Sequence, residues 1–314
     1  MSFENVEWTW KDGKVIRWAE ATVHVSAHAL HYGSGVFEGI RCYETDFGPA
    51  LFRLPEHLSR FYASAEVYGL QIPHSAEELT VAICELINLN DFKSCYVRPI
   101  CYFGSASLGV HPAKCPVETA IMVWPWGAYL GAEGLEKGIR VTVSPWRKFH
   151  SSMMPTTAKA CGQYLNSILA VRDAFARGFD EALLLDMDGR LAEGSGENLF
   201  VIKDDKIVTN RAVDSILMGI TRDSVMEIAR DLGYTLDTKS LELEDLLAAD
   251  EAFFTGTAAE VTPIREVDDT VIGAGKRGPI TTDIQSAFFD AVNGRSPQFH
   301  KWLHHVGDHA AVAV

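Results

Sequence analysis

The sequence predicts a mixed α+β protein built from two domains. The chain has 314 residues, of which 47% are hydrophobic and 22% are charged, as in an ordinary globular protein. At about 150 residues per domain, this length corresponds to about two domains. Segments with strand-like alternation are mixed with segments of helical periodicity, and a stretch with three glycines and a proline at 124–134 breaks both patterns.

These observations predict a small N-terminal α/β domain at 1–130 and a larger domain at 131–314. The connection between them is expected at about 124–137. The tail at 296–314 is small, polar and histidine-bearing, so we expect it to be loosely held.

The N-terminal half is predicted to open with a hairpin, because Asp12-Gly13 is a strong turn signal between two short apolar runs. Helices follow where apolar residues return every three or four positions. The predicted elements of this half are a hairpin at 6–18, strands at 36–43 and 50–53, helices at 55–68 and 76–89, and strands at 95–103 and 119–124.

The C-terminal half alternates strands and helices by the same criteria. Its predicted elements are a strand at 139–144, a helix at 162–177, a strand at 181–186, a hairpin at 199–209, a helix at 220–232, short elements at 241–247 and 252–255, and a helix at 281–292.

Charge and cysteine content narrow the class of partner and the compartment. The formal net charge is −14, which argues against nucleic acid or an anionic membrane as the main partner, because both require a basic surface. The acidic start and the lack of a long apolar run predict neither a signal peptide nor a membrane span. None of the six cysteines forms a Cys-x-x-Cys pair, so we expect reduced thiols in the cytoplasm.

Lys159 is the first candidate for chemistry. It is the only lysine between Lys148 and Lys203, and it lies in an almost uncharged run of small and hydroxyl residues before an apolar helix. Burial there would lower the pKa of the amine and make it available as a nucleophile for a Schiff base. A solvated lysine at a helix start is the alternative.

Three short motifs are further candidates. Glu193 is a carboxylate followed by a Gly-Ser-Gly sequence, which suits a tight backbone turn near a ligand. A helix start with Gly219 and Thr221 could bind an anion. The turn at 255–258 could bind a carboxylate or phosphate through its amides. Each motif also occurs as a plain turn or helix start.

Two arginines are candidate anion ligands. Arg60 lies on a predicted helix face, where a surface ion pair is the alternative. Arg98 lies inside an apolar strand, and a buried arginine requires an anionic partner, either an internal carboxylate or a ligand.

His24, His28 and His31 have helix-like spacing, which raises the alternative of a metal-dependent enzyme. No cysteine or acidic ligand stands near them in the sequence, so we expect no metal site there. No nucleotide-binding glycine motif occurs after a strand or before a Lys-Ser/Thr pair.

These features occur together in one family. The segment from 193 to 222 resembles the signature of class IV pyridoxal-phosphate aminotransferases at Glu193, Ser195, Asn198, Leu199, Phe200, Ile207, Thr209, Leu217, Gly219, Ile220 and Arg222. The segments 28–41, 124–131, 157–159 and 254–260 are similar to the bacterial branched-chain amino acid members of that family. The resemblance spans residues 6–292.

The resemblance implies a fold-type IV architecture like that of D-amino acid aminotransferase, with a small α/β domain and a larger pseudo-barrel domain. It implies reversible transfer of an amino group between L-leucine, L-isoleucine or L-valine and 2-oxoglutarate, with pyridoxal 5′-phosphate as cofactor. D-amino acid aminotransferases and aminodeoxychorismate lyases share this fold and remain alternatives.

The resemblance also implies roles for individual residues. Lys159 would form the Schiff base with the cofactor and move the substrate proton, Glu193 would pair with the ring nitrogen and Tyr164 with the ring hydroxyl. The remaining cofactor contacts would come from Arg60, Leu217, Gly219, Ile220, Thr221, Gly256 and Thr257.

The same resemblance implies the substrate pocket. The turn Thr257-Ala258 would bind the α-carboxylate, and Arg98 would bind the distal carboxylate of glutamate. The side-chain pocket would be lined by Phe37, Tyr96, Trp126 and Tyr129, with Tyr32 and Val110 supplied by a second subunit, which implies at least a homodimer. The bulky, basic segment at 144–154 and the pair Cys161-Gly162 depart from the family pattern.

Overall fold

A computed structural model describes Phe3, residues 5–127 and residues 131–309. The chain divides into two compact units. The first comprises residues 1–127, 158–163 and 290–314, and the second comprises residues 128–157 and 164–289. None of the helices in the described part of the chain is both long enough and apolar enough to cross a membrane.

The seventeen strands are short, and in chain order they are β1 Trp8–Lys11, β2 Lys14–Arg17, β3 Gly35–Phe37, β4 Ile40–Thr45, β5 Gly48–Phe52, β6 Cys95–Phe103, β7 Val117–Trp124, β8 Ile139–Val143, β9 Glu181–Leu185, β10 Leu191–Gly194, β11 Asn198–Lys203, β12 Lys206–Thr209, β13 Thr235–Thr238, β14 Glu251–Gly256, β15 Glu260–Val267, β16 Thr270–Val271 and β17 Leu303–His305 within the described residues.

The eight α-helices of the described residues are α1 His28–Tyr32, α2 Leu54–Val67, α3 Ala76–Leu89, α4 Gly131–Lys137, α5 Tyr164–Ala176, α6 Ile220–Asp231, α7 Leu243–Leu247 and α8 Pro279–Val292. Short 3₁₀ helices lie at Trp18–Glu20, Cys161–Gln163, Pro297–Trp302 and Val306–His309.

The first unit contains an eight-stranded sheet with the order β17-β5-β4-β6-β7-β1-β2, and β3 also pairs with β6. Helices α2 and α3 bury one face each against it, because their apolar residues recur at helical spacing. Ser75 and Glu78 form a capping box that fixes where α3 begins. The core of this unit includes Leu58, Phe61 and Ile83.

The second unit contains a nine-stranded sheet with the order β10-β9-β8-β15-β14-β11-β12-β13, and β16 pairs with β15. Strands β9 and β14 consist almost entirely of buried residues, which is typical of strands covered on both faces. Phe200 and Phe253 are fully buried and stack at 4.9 Å between ring centroids, so β11 and β14 are locked in register.

The predicted fold class, a mixed α/β protein with two sheets of the fold-type IV kind, is confirmed. The most periodic segments also agree closely with the structure, since α3 and β6 have the predicted bounds. The long strand β15 was not predicted, because Pro263 and three charged residues break its alternation.

The two units differ from the predicted halves. The segment 158–163, which carries Lys159, and the C-terminal residues from 290 onward both belong to the first unit. Ala160 forms a β-bridge with Val36, and β17 pairs with β5, so pairings between distant segments assign these residues to the first unit. The two units are therefore of nearly equal size, instead of one small and one large.

The expectation of a loosely held tail is wrong for most of its length. Phe299 and Trp302 are buried and stack at 4.2 Å between ring centroids, and Val306 joins the core of the first unit. The backbone N–H of Arg53 donates to the carbonyl of Trp302 at 2.7 Å. Residues 310–314 of the predicted tail lie outside the described residues.

Candidate active site

The predicted site residues fall into two groups, one in each unit. The group in the first unit is built around Lys159. Its backbone N–H donates to Ser64 Oγ of α2 at 3.0 Å, and its carbonyl accepts from the N–H of Phe37 at 3.1 Å. The backbone of Lys159 is thus held between helix α2 and strand β3, and the residue is only partly exposed.

A glycine that follows α1 allows the segment after Lys159 to approach closely. Gly162 donates to the carbonyl of Gly33 at 3.1 Å. A Cβ on Gly33 would lie 2.8 Å from the Cα of Gly162, and Gly33 has a φ of 64°. The close backbone contact that follows Lys159 therefore requires a glycine at 33, whereas a Cβ on Gly162, which departs from the family pattern, would lie 3.3 Å from the carbonyl oxygen of Gly33.

A buried charged network lies beside Lys159. Glu38 is fully buried and accepts from His57 Nδ1 at 2.7 Å. It also accepts two bonds from Arg60, from Nε at 2.6 Å and from Nη2 at 2.9 Å. A guanidinium has five N–H groups in a rigid plane, so this paired contact fixes the orientation of Arg60.

The network is charged at neutral pH. Burial alone would raise the pKa of Glu38, but the charge of Arg60 and the hydrogen bond from His57 outweigh burial and hold this pKa well below its usual range. Burial lowers the pKa of His57, and the nearby Glu38 only partly offsets that effect. The arrangement is a carboxylate held by a guanidinium and a neutral imidazole.

These surroundings change the chemistry of Lys159. Burial, followed by the charge of Arg60, lowers the pKa of the amine from its ordinary 10.5 to about 8, although Glu38 acts in the opposite direction. About a tenth of the amine is therefore neutral and nucleophilic at pH 7, far more than for an ordinary lysine.

An aromatic pocket surrounds Arg98 in the same unit. Its Cζ lies 4.5 Å from the ring centroid of Phe37 and 5.3 Å from that of Tyr96. The rings of Tyr96 and Trp126 are 4.5 Å apart. The Lys159 amine lies 5.2 Å from the centroid of Phe37, so the amine and the Arg98 guanidinium, which share that ring, are less than about 10 Å apart.

The group in the second unit is built around Glu193, which is 5% exposed. Its Oε1 lies 2.5 Å from the Nζ of Lys148. Its Oε2 accepts from the backbone N–H of Leu217 at 3.0 Å and from Asn198 Nδ2 at 3.3 Å. The carboxylate is thus held on strand β10 by contacts to both oxygens.

The start of α6 offers donors for an anion. Gly219 is the N-cap residue and has no side chain to accept from the first N–H groups of the helix, at Ile220 and Thr221. A Cβ on Gly219 would lie 2.1 Å from Oδ1 of Asn198, the residue that contacts Glu193. Gly219 therefore allows the start of α6 to lie close to Asn198, which donates a hydrogen bond to Glu193.

The remaining predicted residues of the second unit lie on element ends. Gly256 ends β14, and Thr257 and Ala258 form the turn to β15, where Glu260 has a φ of 56°. Tyr164 is the first residue of α5.

The residues expected to serve a second subunit are at the surface. Tyr32 is 46% exposed and Val110 is 85% exposed. Trp126 belongs to the aromatic pocket, whereas Tyr129 lies outside the described residues.

The three histidines of the metal alternative point their ring nitrogens at other partners. His28 contacts Ser34 Oγ and the carbonyl of Gly109, both at 2.7 Å. His31 Nε2 lies 2.9 Å from the carbonyl of Val25, and His24 Nδ1 lies 2.6 Å from Ser26 Oγ. Within the described ranges no group of three or more His, Cys, Asp or Glu residues could hold a metal.

Sequence reasoning missed four side chains of these groups: Glu38, His57, Lys148 and Trp124. Glu38 lies inside the segment 28–41 that carries part of the resemblance, and Lys148 lies inside the basic segment at 144–154 that departs from it. Lys148, within that segment, supplies the positive charge that pairs with Glu193. Nothing in the local sequence marks His57.

Comparison with known proteins gives the class to which this arrangement belongs. The family model described as amino-transferase class IV matches residues 35–267. The chain therefore belongs to the class IV aminotransferase family.

The names of similar curated proteins point to one branch of this family. The chain is 46% identical to the branched-chain-amino-acid aminotransferase of Pseudomonas aeruginosa, over 93% of this chain and 95% of the relative. It is 43% identical to the enzyme of the same name from Escherichia coli K12, over 98% and 99% of the two chains.

Solved structures similar to this chain carry the same enzyme name as these relatives. The T.th. branched-chain amino acid aminotransferase with pyridoxamine 5′-phosphate superimposes with a TM-score of 0.93 at 47% identity, covering 96% of this chain and 99% of that one. The Escherichia coli enzyme superimposes with a TM-score of 0.94 at 43% identity, with the same coverage.

Proposed function

We propose that this protein is a pyridoxal-phosphate-dependent branched-chain amino acid aminotransferase. It exchanges the amino group between L-leucine, L-isoleucine or L-valine and 2-oxoglutarate. The observation that carries the proposal is the Lys159 amine, with a pKa lowered to about 8, beside an aromatic pocket that contains one arginine. Relatives at 43% and 46% identity with this activity in their names support the same conclusion.

The residues present fit the cofactor. An aldehyde needs a neutral amine, which Lys159 supplies, and a protonated ring nitrogen needs a buried carboxylate, which Glu193 supplies. The phosphate needs N–H donors and a cation; the proposed donors are the first N–H groups of α6, and the proposed cation is Arg60. The other proposed cofactor contacts are Tyr164, Leu217, Gly219, Ile220, Thr221, Gly256 and Thr257.

Bound pyridoxal phosphate supplies an electron sink that makes the substrate Cα–H acidic. The protein's own groups do the rest. Glu193 keeps the ring nitrogen charged because both of its oxygens are held in place by Lys148, Leu217 and Asn198. Lys159 would take the proton from the substrate Cα and would deliver it to C4′ of the cofactor, since an amine with a pKa near 8 serves as both base and acid.

The pocket must accept two chemically different side chains. Apolar side chains of leucine, isoleucine and valine contact the rings of Phe37, Tyr96 and Trp126. Glutamate binds Arg98 through its distal carboxylate. Arg98 is within reach of an amino acid bound at Lys159, because the Arg98 guanidinium and the Lys159 amine lie less than about 10 Å apart. The α-carboxylate is bound by the amides of the turn Thr257-Ala258.

We infer that the protein acts as a homodimer or a higher homo-oligomer. Helix α5 buries only Ala170 and Ala174 and exposes four large apolar side chains, namely Leu165, Ile168, Leu169 and Phe175. A second copy of the chain is the proposed partner of this face, and Tyr32 and Val110 are the proposed contributions to the neighbouring subunit's pocket. Light scattering of Phe175→Glu should show a smaller particle than wild type, and Val81→Glu on α3 is the control.

We also propose that the protein works in the cytoplasm with small-molecule substrates. Its six cysteines are all free thiols, five of them buried, which is typical of a reducing compartment.

An activity panel tests the proposed reaction. The purified protein, loaded with pyridoxal phosphate, should convert L-leucine with 2-oxoglutarate and leave D-alanine untouched. Strong turnover of D-alanine without L-leucine would instead identify a D-amino acid aminotransferase. Release of pyruvate from aminodeoxychorismate would identify a lyase of the same fold, and activity lost to chelators would favour the metal alternative.

A further inference from the structure

The face of the sheet that carries Arg98 includes a tryptophan without an assigned role. Trp124 on β7 pairs with Tyr96 on β6, and Arg98 pairs with Met122, so Trp124 and Arg98 lie on the same face of neighbouring strands. The Arg98 Cζ is 5.8 Å from the centroid of Trp124. The ring of Trp124 also contacts Tyr96 and Trp126, with centroids at 5.1 and 5.9 Å.

Two hydrogen-bond donors in this cluster, one on Trp124 and one on Arg98, have no acceptor among the residues that the structure describes. Trp124 is 5% exposed, and its indole Nε1 is buried without a hydrogen-bond partner among the described residues. The Nε of Arg98 is likewise buried and unpaired within those residues. An indole N–H can only donate, and a buried donor without an acceptor costs free energy. Each of the two donors therefore needs an acceptor that the described residues do not supply.

A carboxylate is an acceptor of this kind, with two oxygens that can be shared between donors. Of the substrates proposed above, only the dicarboxylic ones bring a second carboxylate into the aromatic pocket. Leucine, isoleucine and valine place hydrocarbon there and leave both donors unsatisfied. The two unpaired donors therefore match one substrate class and not the other.

We propose that the Trp124 indole N–H binds the distal carboxylate of glutamate and 2-oxoglutarate together with Arg98. Trp124 is then a specificity-determining residue, and this assignment rests on the proposed function. Its N–H favours the dicarboxylic substrate, while its ring forms part of the wall that apolar side chains contact.

The substitution Trp124→Phe tests the proposal, because it keeps an aromatic ring and removes the N–H. We expect the ratio of kcat/KM for glutamate to kcat/KM for leucine to fall about tenfold, mainly through a higher KM for glutamate. Trp10→Phe, at another buried tryptophan of the same unit, is the matched control and should leave the ratio unchanged. Thermal unfolding of each variant checks that it is folded.

Binding of glutarate separates this proposal from the proposed function, because glutarate has two carboxylates and needs no turnover. Titration calorimetry with cofactor-loaded protein should show about tenfold weaker binding of glutarate to Trp124→Phe, with 4-methylvalerate affected less. In Arg98→Leu, adding Trp124→Phe should cause little further loss, since both donors share one ligand. An unchanged ratio with unchanged glutarate binding, or equal losses for both ligands, would overturn the proposal. Absent leucine activity in wild type would overturn the proposed function instead.

Discussion

At the scale of single residues, the reactivity of Lys159 depends on neighbours that no local pattern reveals. The sequence marks Lys159 because it is a lone lysine among small residues, and it marks Arg98 because the arginine interrupts an apolar strand. Glu38 and His57 are 19 residues apart and meet only because α2 packs against the sheet near β3. Sequence reasoning could therefore single out Lys159 as the candidate nucleophile, but not the network that lowers the pKa of its amine.

The lowered pKa of Lys159 predicts how cofactor uptake depends on pH. The rate of pyridoxal phosphate binding to cofactor-free protein should rise with pH and level off above about pH 8, because the neutral amine is the nucleophile. Stopped-flow absorbance measures this rate. Free Nα-acetyl-lysine, with an ordinary amine, should continue to gain rate toward about pH 10. A protein profile that follows the free amine would contradict the burial argument.

The same shift has a consequence for stability. The folded protein releases the Lys159 proton at about pH 8, whereas an unfolded lysine releases it near 10.5. The penalty for burying the charged amine is therefore complete below pH 8 and is relieved as pH rises toward 10.5. Relative to Lys159→Met, the cofactor-free wild-type protein should gain stability over that range, as measured by urea unfolding at several pH values.

At the scale of elements, strongly periodic or capped segments are predictable and strands defined by distant partners are not. Helix α3 has both an apolar stripe and the Ser75–Glu78 capping box, so its bounds follow from the sequence. Strand β15 contains Pro263 and becomes a strand because it lies between β14 and β8 in the sheet. In the first unit, the pairing of β4 with β6 likewise places Gly39, just before β4, against Tyr96 of β6.

This contact predicts the effect of one methyl group. A Cβ on Gly39 would lie 1.8 Å from the Tyr96 hydroxyl and 2.7 Å from its Cζ. Gly39→Ala should therefore displace the Tyr96 ring and lower kcat/KM for leucine by at least about tenfold. Adding Tyr96→Phe removes the nearer clash and should restore part of the activity. Full activity in Gly39→Ala, measured in steady-state assays, would show that the ring moves without consequence.

At the scale of the whole molecule, the sequence predicts two domains but misplaces their boundaries. Consecutive halves are the simplest division of a chain, yet residues 158–163 and 290–314 return to the first unit. The return at the C-terminus depends on β17, which pairs with β5 and forms the edge of the sheet. The three residues of β17 have half-exposed side chains and give no periodic signal of such a pairing.

The packed tail predicts a stability effect far from the site. Trp302 is 4% exposed and stacks on Phe299, so Trp302→Ala should lower the free energy of unfolding by about 3 kcal/mol. The urea midpoint of cofactor-loaded protein measures the change, with the exposed neighbour Lys301→Ala as control. Equal midpoints for the two variants would mean that the tail adds no stability.

The proposal that Lys159 binds pyridoxal phosphate covalently is tested most directly by identifying the residue that carries the cofactor. Protein loaded with pyridoxal phosphate is reduced with borohydride, digested and mapped by mass spectrometry. We expect one cofactor label, on Lys159, and none in Lys159→Ala, whose circular dichroism spectrum should match that of wild type. A label on any other lysine, or a wild-type protein that takes up no cofactor, would contradict the central claim.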